Sequence, residues 1–244
     1  MVALSLIAVL CATAYLLHLR HKSRTLSATN HSRADGAERD LVRRLVRYGL
    51  PKERIFHNLF IEKANGEYSQ FDAVALTDVG VIVFEVKSYS GEIEGDGHEN
   101  TWRQRLAGGT KCHQFYNPVF QNDGHIATLR KAHSGLKGIP IFSVVVFYGD
   151  CSFRSLRNIP DRCRIIKPNK LSVTLNEILT ANPKIGYSNR DAIVGVLRKG
   201  AANGENSRIV EAHRRTVEQR FNHRRRTTYP LWPRIKRLIS RLCR

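Results

Sequence analysis

The chain has 244 residues, 42% hydrophobic and 25% charged, enough for one α/β core with appendages and short for two full domains. Its 40 Lys and Arg against 21 acidic residues give a net charge of +19 at pH 7, a balance that suits polyanionic partners, either nucleic acid or an anionic membrane surface. Five scattered Cys without C-x-x-C spacing and ten His without H-E-x-x-H argue against a disulfide framework or a zinc site, and the lack of a P-loop, G-x-G-x-x-G or G-x-S-x-G removes those reaction classes.

Residues 2–19 are apolar apart from Ser5, Thr13 and His18. At ~1.5 Å per residue such a helix reaches about 27 Å, barely the depth of a bilayer core, so the expected transmembrane anchor is a marginal span. Ala12-Thr13-Ala14 also fits a signal-peptide cleavage site, but no Lys or Arg precedes the run. Arg20, Lys22, Arg24 and Arg33 follow with no acid before Asp35, so the positive-inside rule places the rest of the chain in the cytoplasm. Residues 20–34 read as a basic polar linker.

A helix is predicted from about Asp35 to Gly49, with Pro51 beyond. Glu38, Leu41, Val42 and Leu45 fall at i, i+3, i+4 and i+7, which sets Glu38 on the core-facing stripe. The alternative is a capping box of Asp35 and Glu38. A first strand is expected over 54–62, then a hairpin of strands 68–77 and 81–88 reading FDAVALTDVGVIVFEVK from Phe71 to Lys87. Glu85 and Lys87 share a face, and a two- or four-residue loop within 77–80 puts Asp72 directly across from Glu85. Their Cβ atoms would then be about 4.5 to 5.5 Å apart. Two facing carboxylates are stable with a cation between them or a proton on one, and Mg²⁺ with Lys87 beside it fits. The plainer reading is an ion-pair face on a half-exposed strand. Against it, both faces from Val81 to Val86 are apolar and the charges gather at the strand's end, as in a cleft.

Gly91, Gly95, Gly97, Gly108 and Gly109 read as loops around Trp102. Asn117 as N-cap and Pro118 at N1 start a helix with Phe120, Ile126 and Leu129 as its apolar side and Gln121 in its first turn. Residues 139–148 read as a central, doubly covered strand and 164–167 as a short edge strand. Ser188-x-x-Asp191 predicts a capped helix, and 208–226 a last one. Residues 198–244 hold 14 Lys or Arg and three Glu, a net of +11. Within them Arg214, Arg215, Arg220, Arg224, Arg225 and Arg226 are candidate nucleic-acid contacts. Trp232 with Ile235, Leu238, Ile239 and Leu242 at helical spacing among basic residues suits an anionic membrane surface, and a solvated tail is the bland alternative for both.

The order Asp72, turn, Glu85-x-Lys87 resembles the core of the PD-(D/E)xK nucleases. With VIVFEVKSYSGEIEG, Trp102, Asn117-Pro118-x-x-Gln121 and Glu38, residues 35–148 resemble the nuclease-related domain family, although Phe71 stands at the Pro of the superfamily name and Ala37 where the family often has Gly. The resemblance implies an α/β, restriction-endonuclease-like mixed β-sheet flanked by helices, and phosphodiester hydrolysis dependent on Mg²⁺ or Mn²⁺. It implies Asp72, Glu85 and Glu38 as metal ligands, with Lys87 and Gln121 completing the catalytic set. The expected organisation is an anchor over 2–19, a linker over 20–34, the nuclease-related domain over 35–148, an extension of the core over 149–204 and a basic helical tail over 205–244. The expected function is a membrane-anchored nuclease acting on nucleic acid, most readily DNA. The alternative is an inactive nuclease-fold module that binds nucleic acid or the membrane surface.

Overall fold

The computed structural model describes residues 36–187 and 189–228, the side chains of residues 107 and 221–228 excepted. The expected anchor over 2–19, the linker and the tail helix over 232–244 therefore lie outside the described residues. Among the described residues, no helix is long and apolar enough to cross a membrane.

Helix α1 (36–48) buries Ala37, Leu41 and Leu45 on a stripe of i, i+4 spacing, leaving Glu38 half-buried at its margin. It stops at Gly49, whose φ of 109° suits a residue without a Cβ. Strand β1 (Ile55–Glu62) pairs antiparallel with β2 (Tyr68–Thr77), which turns through Asp78 and Val79 into β3 (Gly80–Ser88). The register follows the shorter of the two- and four-residue loops expected from sequence, from Thr77↔Gly80 to Ala73↔Phe84. Strand β3 then runs parallel to β7 (Ile141–Tyr148), which runs parallel to the edge strand β9 (Cys163–Ile166), so the first sheet has the order β1-β2-β3-β7-β9. Parallel pairing needs crossovers, and they bring helices onto both faces. Ile82, Phe84 and Val86 face α1 and α3 (Leu171–Ala181), while Val81 and Val83 face α2 (Pro118–Ala132) and α4 (Arg190–Glu205).

A second sheet was not legible in the sequence. The segment expected as glycine-punctuated loops folds into β4 (Gly91–Asp96), β5 (Thr101–Leu106) and β6 (Lys111–Tyr116), joined by β8 (Cys151–Arg157) in the order β6-β5-β4-β8. Gly95 is a strand residue because an indole lies against it: a Cβ there would sit 2.2 Å from Trp102 Cδ2. Trp102 is fully buried and stacks on Phe147 with 7° between the ring planes, which packs the second sheet onto β7.

Other boundaries also moved. Helix α3 follows β9 without an N-cap side-chain bond, and α4 begins at Arg190 with Asn189 as an N-cap that makes no side-chain bond, while Ser188, expected as a cap, lies outside the described residues. Helix α4 lies close on the edge strand β1. A Cβ on its Gly200 would be 3.3 Å from Leu59 Cβ, and Asn203 Nδ2 donates to the Phe60 carbonyl at 2.9 Å, covering an otherwise unpaired strand edge. Helix α5 (Ser207–Thr228) is docked and does not trail free: His213 meets Phe60 edge-on at 5.3 Å, and Arg220 pairs with Glu67.

Candidate functional site

Two irregularities in the first sheet create a notch. Strand alternation slips once, at the same level, on both β1 and β2. Phe56 and Leu59 enter one core although an odd spacing should send them to opposite faces, and so do Phe71 and Val74. The ladder runs from His57↔Ala73 to Leu59↔Phe71 with no Asn58↔Asp72 pair between, and Asn58 has the left-handed φ of 50°. Asp72 is thus the residue taken out of alternation, a device often found where a sheet aims a side chain at a site. Immediately beyond, the pairing of β2 with β3 stops at Ala73↔Phe84 while β3 continues beside β7 to Ser88. The backbone N–H of Val86, freed from the ladder, donates to Asp72 Oδ2 at 2.7 Å. The same register extended one step would face Asp72 with Glu85; the observed contact is with the next residue's amide.

Glu85 is 1% exposed and Lys87 is half-buried beside it on the α2 side of the strand. Lys87 Nζ donates to Glu85 Oε1 at 2.6 Å and to Gln121 Oε1 at 2.9 Å. The first-turn placement of Gln121 read from Asn117-Pro118 holds, since Asn117 Oδ1 accepts the Val119 amide at 2.9 Å and caps α2. An ammonium has three donors, and two are used by these contacts among the described residues.

The electrostatics follow from this packing. Burial pushes the Asp72 carboxyl well above the usual carboxylate range, and the charges of Glu85 and Glu38 push it further, against the opposing pull of Lys87. Burial alone would raise Glu85 too, but Lys87 and His125 outweigh it and hold its carboxyl low. Burial works against the Lys87 charge, and Glu85, then Tyr89 and Asp72, overcome it and hold Lys87 above its ordinary value.

Glu38, Asp72 and Glu85 are the three carboxylates expected from the sequence to converge on an ion. Among the described residues, no three His, Cys, Asp or Glu side chains form a group that could hold a metal. Glu38, Asp72 and Glu85 are electrostatic neighbours, but Glu85 is turned onto Lys87, which neutralises it in place of a metal ion, with His125 Nε2 beside its other oxygen. The set suits a divalent ion: hard oxygen donors, one carboxyl forced toward protonation by burial and by two others, and a buried Glu85 Oε2 with no aligned hydrogen-bond donor among the described residues.

Three residues of the neighbourhood were missed in the sequence. His125 Nε2 lies 3.2 Å from Glu85 Oε2, and Ser69 Oγ lies 2.9 Å from His125 Nδ1. Asn122, fully buried, donates to the Val83 carbonyl at 3.0 Å and to Ser143 Oγ at 2.8 Å, fixing α2 against β3 and β7. The signal was present: Pro118, Asn122, His125 and Leu129 form the inward stripe of α2, whereas the apolar side first expected included Phe120, which is half-buried. Two polar residues on an inward stripe mark a polar environment behind them.

Of the candidate nucleic-acid contacts, Arg214 and Arg215 share Glu211 and Arg220 pairs with Glu67, all on the exposed side of α5. Helix α5 lies near the notch. His213 is held below its usual value first by burial, with the proximity of His125 adding to the effect, while its bond to the Tyr68 backbone on β2 opposes them.

The family model of the nuclease-related domain matches residues 33–148. An uncharacterized protein of Bacillus anthracis is 30% identical over 115 residues, covering 47% of this chain and 52% of that protein, so the match spans about half the length of this curated relative. No solved structure matches the chain.

Proposed function

From the nuclease-related domain at residues 33–148, we propose that the protein is a metal-dependent nuclease of restriction-endonuclease-like, PD-(D/E)xK construction, hydrolysing phosphodiester bonds of nucleic acid. The observation that carries this reading is the notch at the end of β3. There the fold tolerates a carboxyl forced upward by burial and by two neighbouring carboxylates, next to a lysine that bonds Glu85 and Gln121, an arrangement that a core built for stability alone would avoid. Asp72 and Glu85, with Glu38 directly or through water, would hold Mg²⁺ or Mn²⁺, which when bound supplies a more acidic water and stabilises charge on the phosphate oxygens. Lys87 offsets charge at the scissile phosphate and orients water, and Gln121 keeps its ammonium aimed into the notch. The anchor over 2–19 would hold this domain at the cytoplasmic side of a membrane.

Helix α5 would serve as the track for the nucleic-acid backbone. Because it covers Phe60, deleting it would expose core, so the appropriate variant replaces Arg214 and Arg215 by Gln. The log-log slope of affinity against salt should fall by up to about 0.9 for each phosphate of duplex DNA that the variant no longer neutralises, with melting temperature unchanged. An unaltered slope removes these two arginines from the interface.

A second reading, a module that binds without turnover, is favoured by one observation: Glu85 already has Lys87 and His125 as partners. Incubating the purified protein with plasmid, linear DNA and RNA, with and without Mg²⁺, separates the two. Cleavage of any substrate only with metal supports the nuclease; binding of nucleic acid with no cleavage in Mg²⁺ or Mn²⁺ supports the module.

A further inference from the structure

Glu85 is supported from a direction that the Asp-turn-Glu-x-Lys pattern does not contain. Lys87 takes Oε1 at 2.6 Å, whereas Oε2 faces His125 Nε2 at 3.2 Å, within ion-pair range but off hydrogen-bond alignment. The other ring nitrogen is tethered, with Ser69 Oγ 2.9 Å from Nδ1. Glu85, His125 and Ser69 are 1%, 8% and 5% exposed, so water does not substitute for these contacts. The ring is held from the side as well, tilted 35° against Phe71 at a centroid distance of 4.8 Å. Its helix is fixed by Asn122, which bonds the backbone of β3 and the Ser143 hydroxyl on β7.

A histidine kept only for packing would be satisfied by Phe71 and by one polar partner. Here one nitrogen is tethered to strand β2 and the other is aimed at the carboxylate of β3. A carboxylate pulled at one oxygen by a flexible lysine is free to rotate about its last torsion, and a ligand that rotates loses affinity for an ion needing fixed geometry. Histidine at this position removes that freedom. Ser69 sets the ring: with its hydroxyl donating to Nδ1, the ring proton sits on Nε2, the nitrogen 3.2 Å from Glu85 Oε2.

We infer that His125, tethered by Ser69, is a positioning residue that sets which oxygen of Glu85 is presented to the divalent ion. This rests on the nuclease reading above. It adds to that reading a brace drawn from α2 and β2, which makes ion affinity depend on two residues that touch neither the ion nor the nucleic acid.

The test is calorimetric titration of Mg²⁺ and Mn²⁺ into the parent, His125→Ala, His125→Gln and Ser69→Ala, with ¹⁵N spectra of the His125 ring in parent and Ser69→Ala. His125→Ala should weaken ion binding by about 10- to 100-fold, as loss of an outer-shell partner does. His125→Gln, whose amide can donate toward Glu85, should recover most of it. Ser69→Ala should lose less affinity and shift the His125 nitrogen resonances. With nucleic acid, kcat at fixed subsaturating ion should fall and KM should not. The inference is overturned alone if the parent binds ion and cleaves while folded His125→Ala binds ion equally well, or if His125→Gln is as weak as His125→Ala. Should His125→Ala not fold, unchanged ion affinity in both His125→Gln and Ser69→Ala overturns it. A parent that binds no divalent ion overturns the nuclease reading, and the brace with it.

Discussion

Replacing Glu85 by Gln or Asp72 by Asn is expected to reduce Mg²⁺-dependent cleavage by a hundredfold or more. Loss of a preorganised electrostatic group typically costs about 3 kcal/mol in the transition state. The two variants should differ in stability. Asp72 is held well above the usual carboxylate range, so the folded chain binds this proton more tightly than the unfolded one. Its contribution to stability is complete below the ordinary carboxylate range and is lost as pH rises through the raised value. Asp72→Asn keeps an acceptor for the Val86 amide and removes the charge, so in metal-free buffer at neutral pH it should melt higher than the parent, with the advantage vanishing in acid. Cleavage by either folded variant at the parental rate in Mg²⁺ would show that these carboxylates do not carry the reaction.

Lys87→Ala is expected to be among the most destabilising single changes at the site. Glu85 is 1% exposed, and removing its 2.6 Å partner leaves a buried carboxylate facing only His125. Breaking a buried pair from one side costs about 3 to 5 kcal/mol, whereas replacing both partners by uncharged groups of similar size is often close to neutral. The double variant Glu85→Gln/Lys87→Met should therefore recover most of the stability lost in Lys87→Ala while remaining inactive. Urea unfolding of the single and double variants measures this directly. Equal loss in both would mean that Lys87 contributes through its packing and not through its charge.

The hairpin and its charged end were legible because their information is local. A two-residue turn fixes register, and period-two alternation fixes which residues share a face, so Glu85 and Lys87 could be paired from spacing alone. The central strand β7 was legible for the same reason, as an unbroken apolar run. What failed depended on partners distant in sequence. Gly95 looks like a loop residue until the indole of Trp102 is laid over it, and the strand it belongs to is bounded by β8, more than fifty residues later. His125 lies on the inward stripe of α2, but its role is visible only when Ser69 and Glu85 are brought to its two nitrogens. Asp72 does not reach the place opposite Glu85 that spacing implies: the β2–β3 ladder ends at Ala73↔Phe84 and Asp72 takes the Val86 amide, because where two strands diverge depends on both of them.

The step out of alternation at Asn58 and Asp72 also makes the site a tenant of the sheet's edge. Strand β1 is an edge strand, and its hold on β2 gives Asp72 its direction, so any local opening that releases β1 disarms the notch while β3, β7 and their cores remain intact. Such sub-global openings cost less than complete unfolding. Helices α4 and α5, which cover β1 through Asn203 and His213, are on this view the guardians of the site's working lifetime. Amide hydrogen exchange across 55–62, compared with the rate of activity loss on mild heating, should show the two proceeding together and ahead of exchange in β3; activity that outlasts protection in β1 would separate the site from the edge.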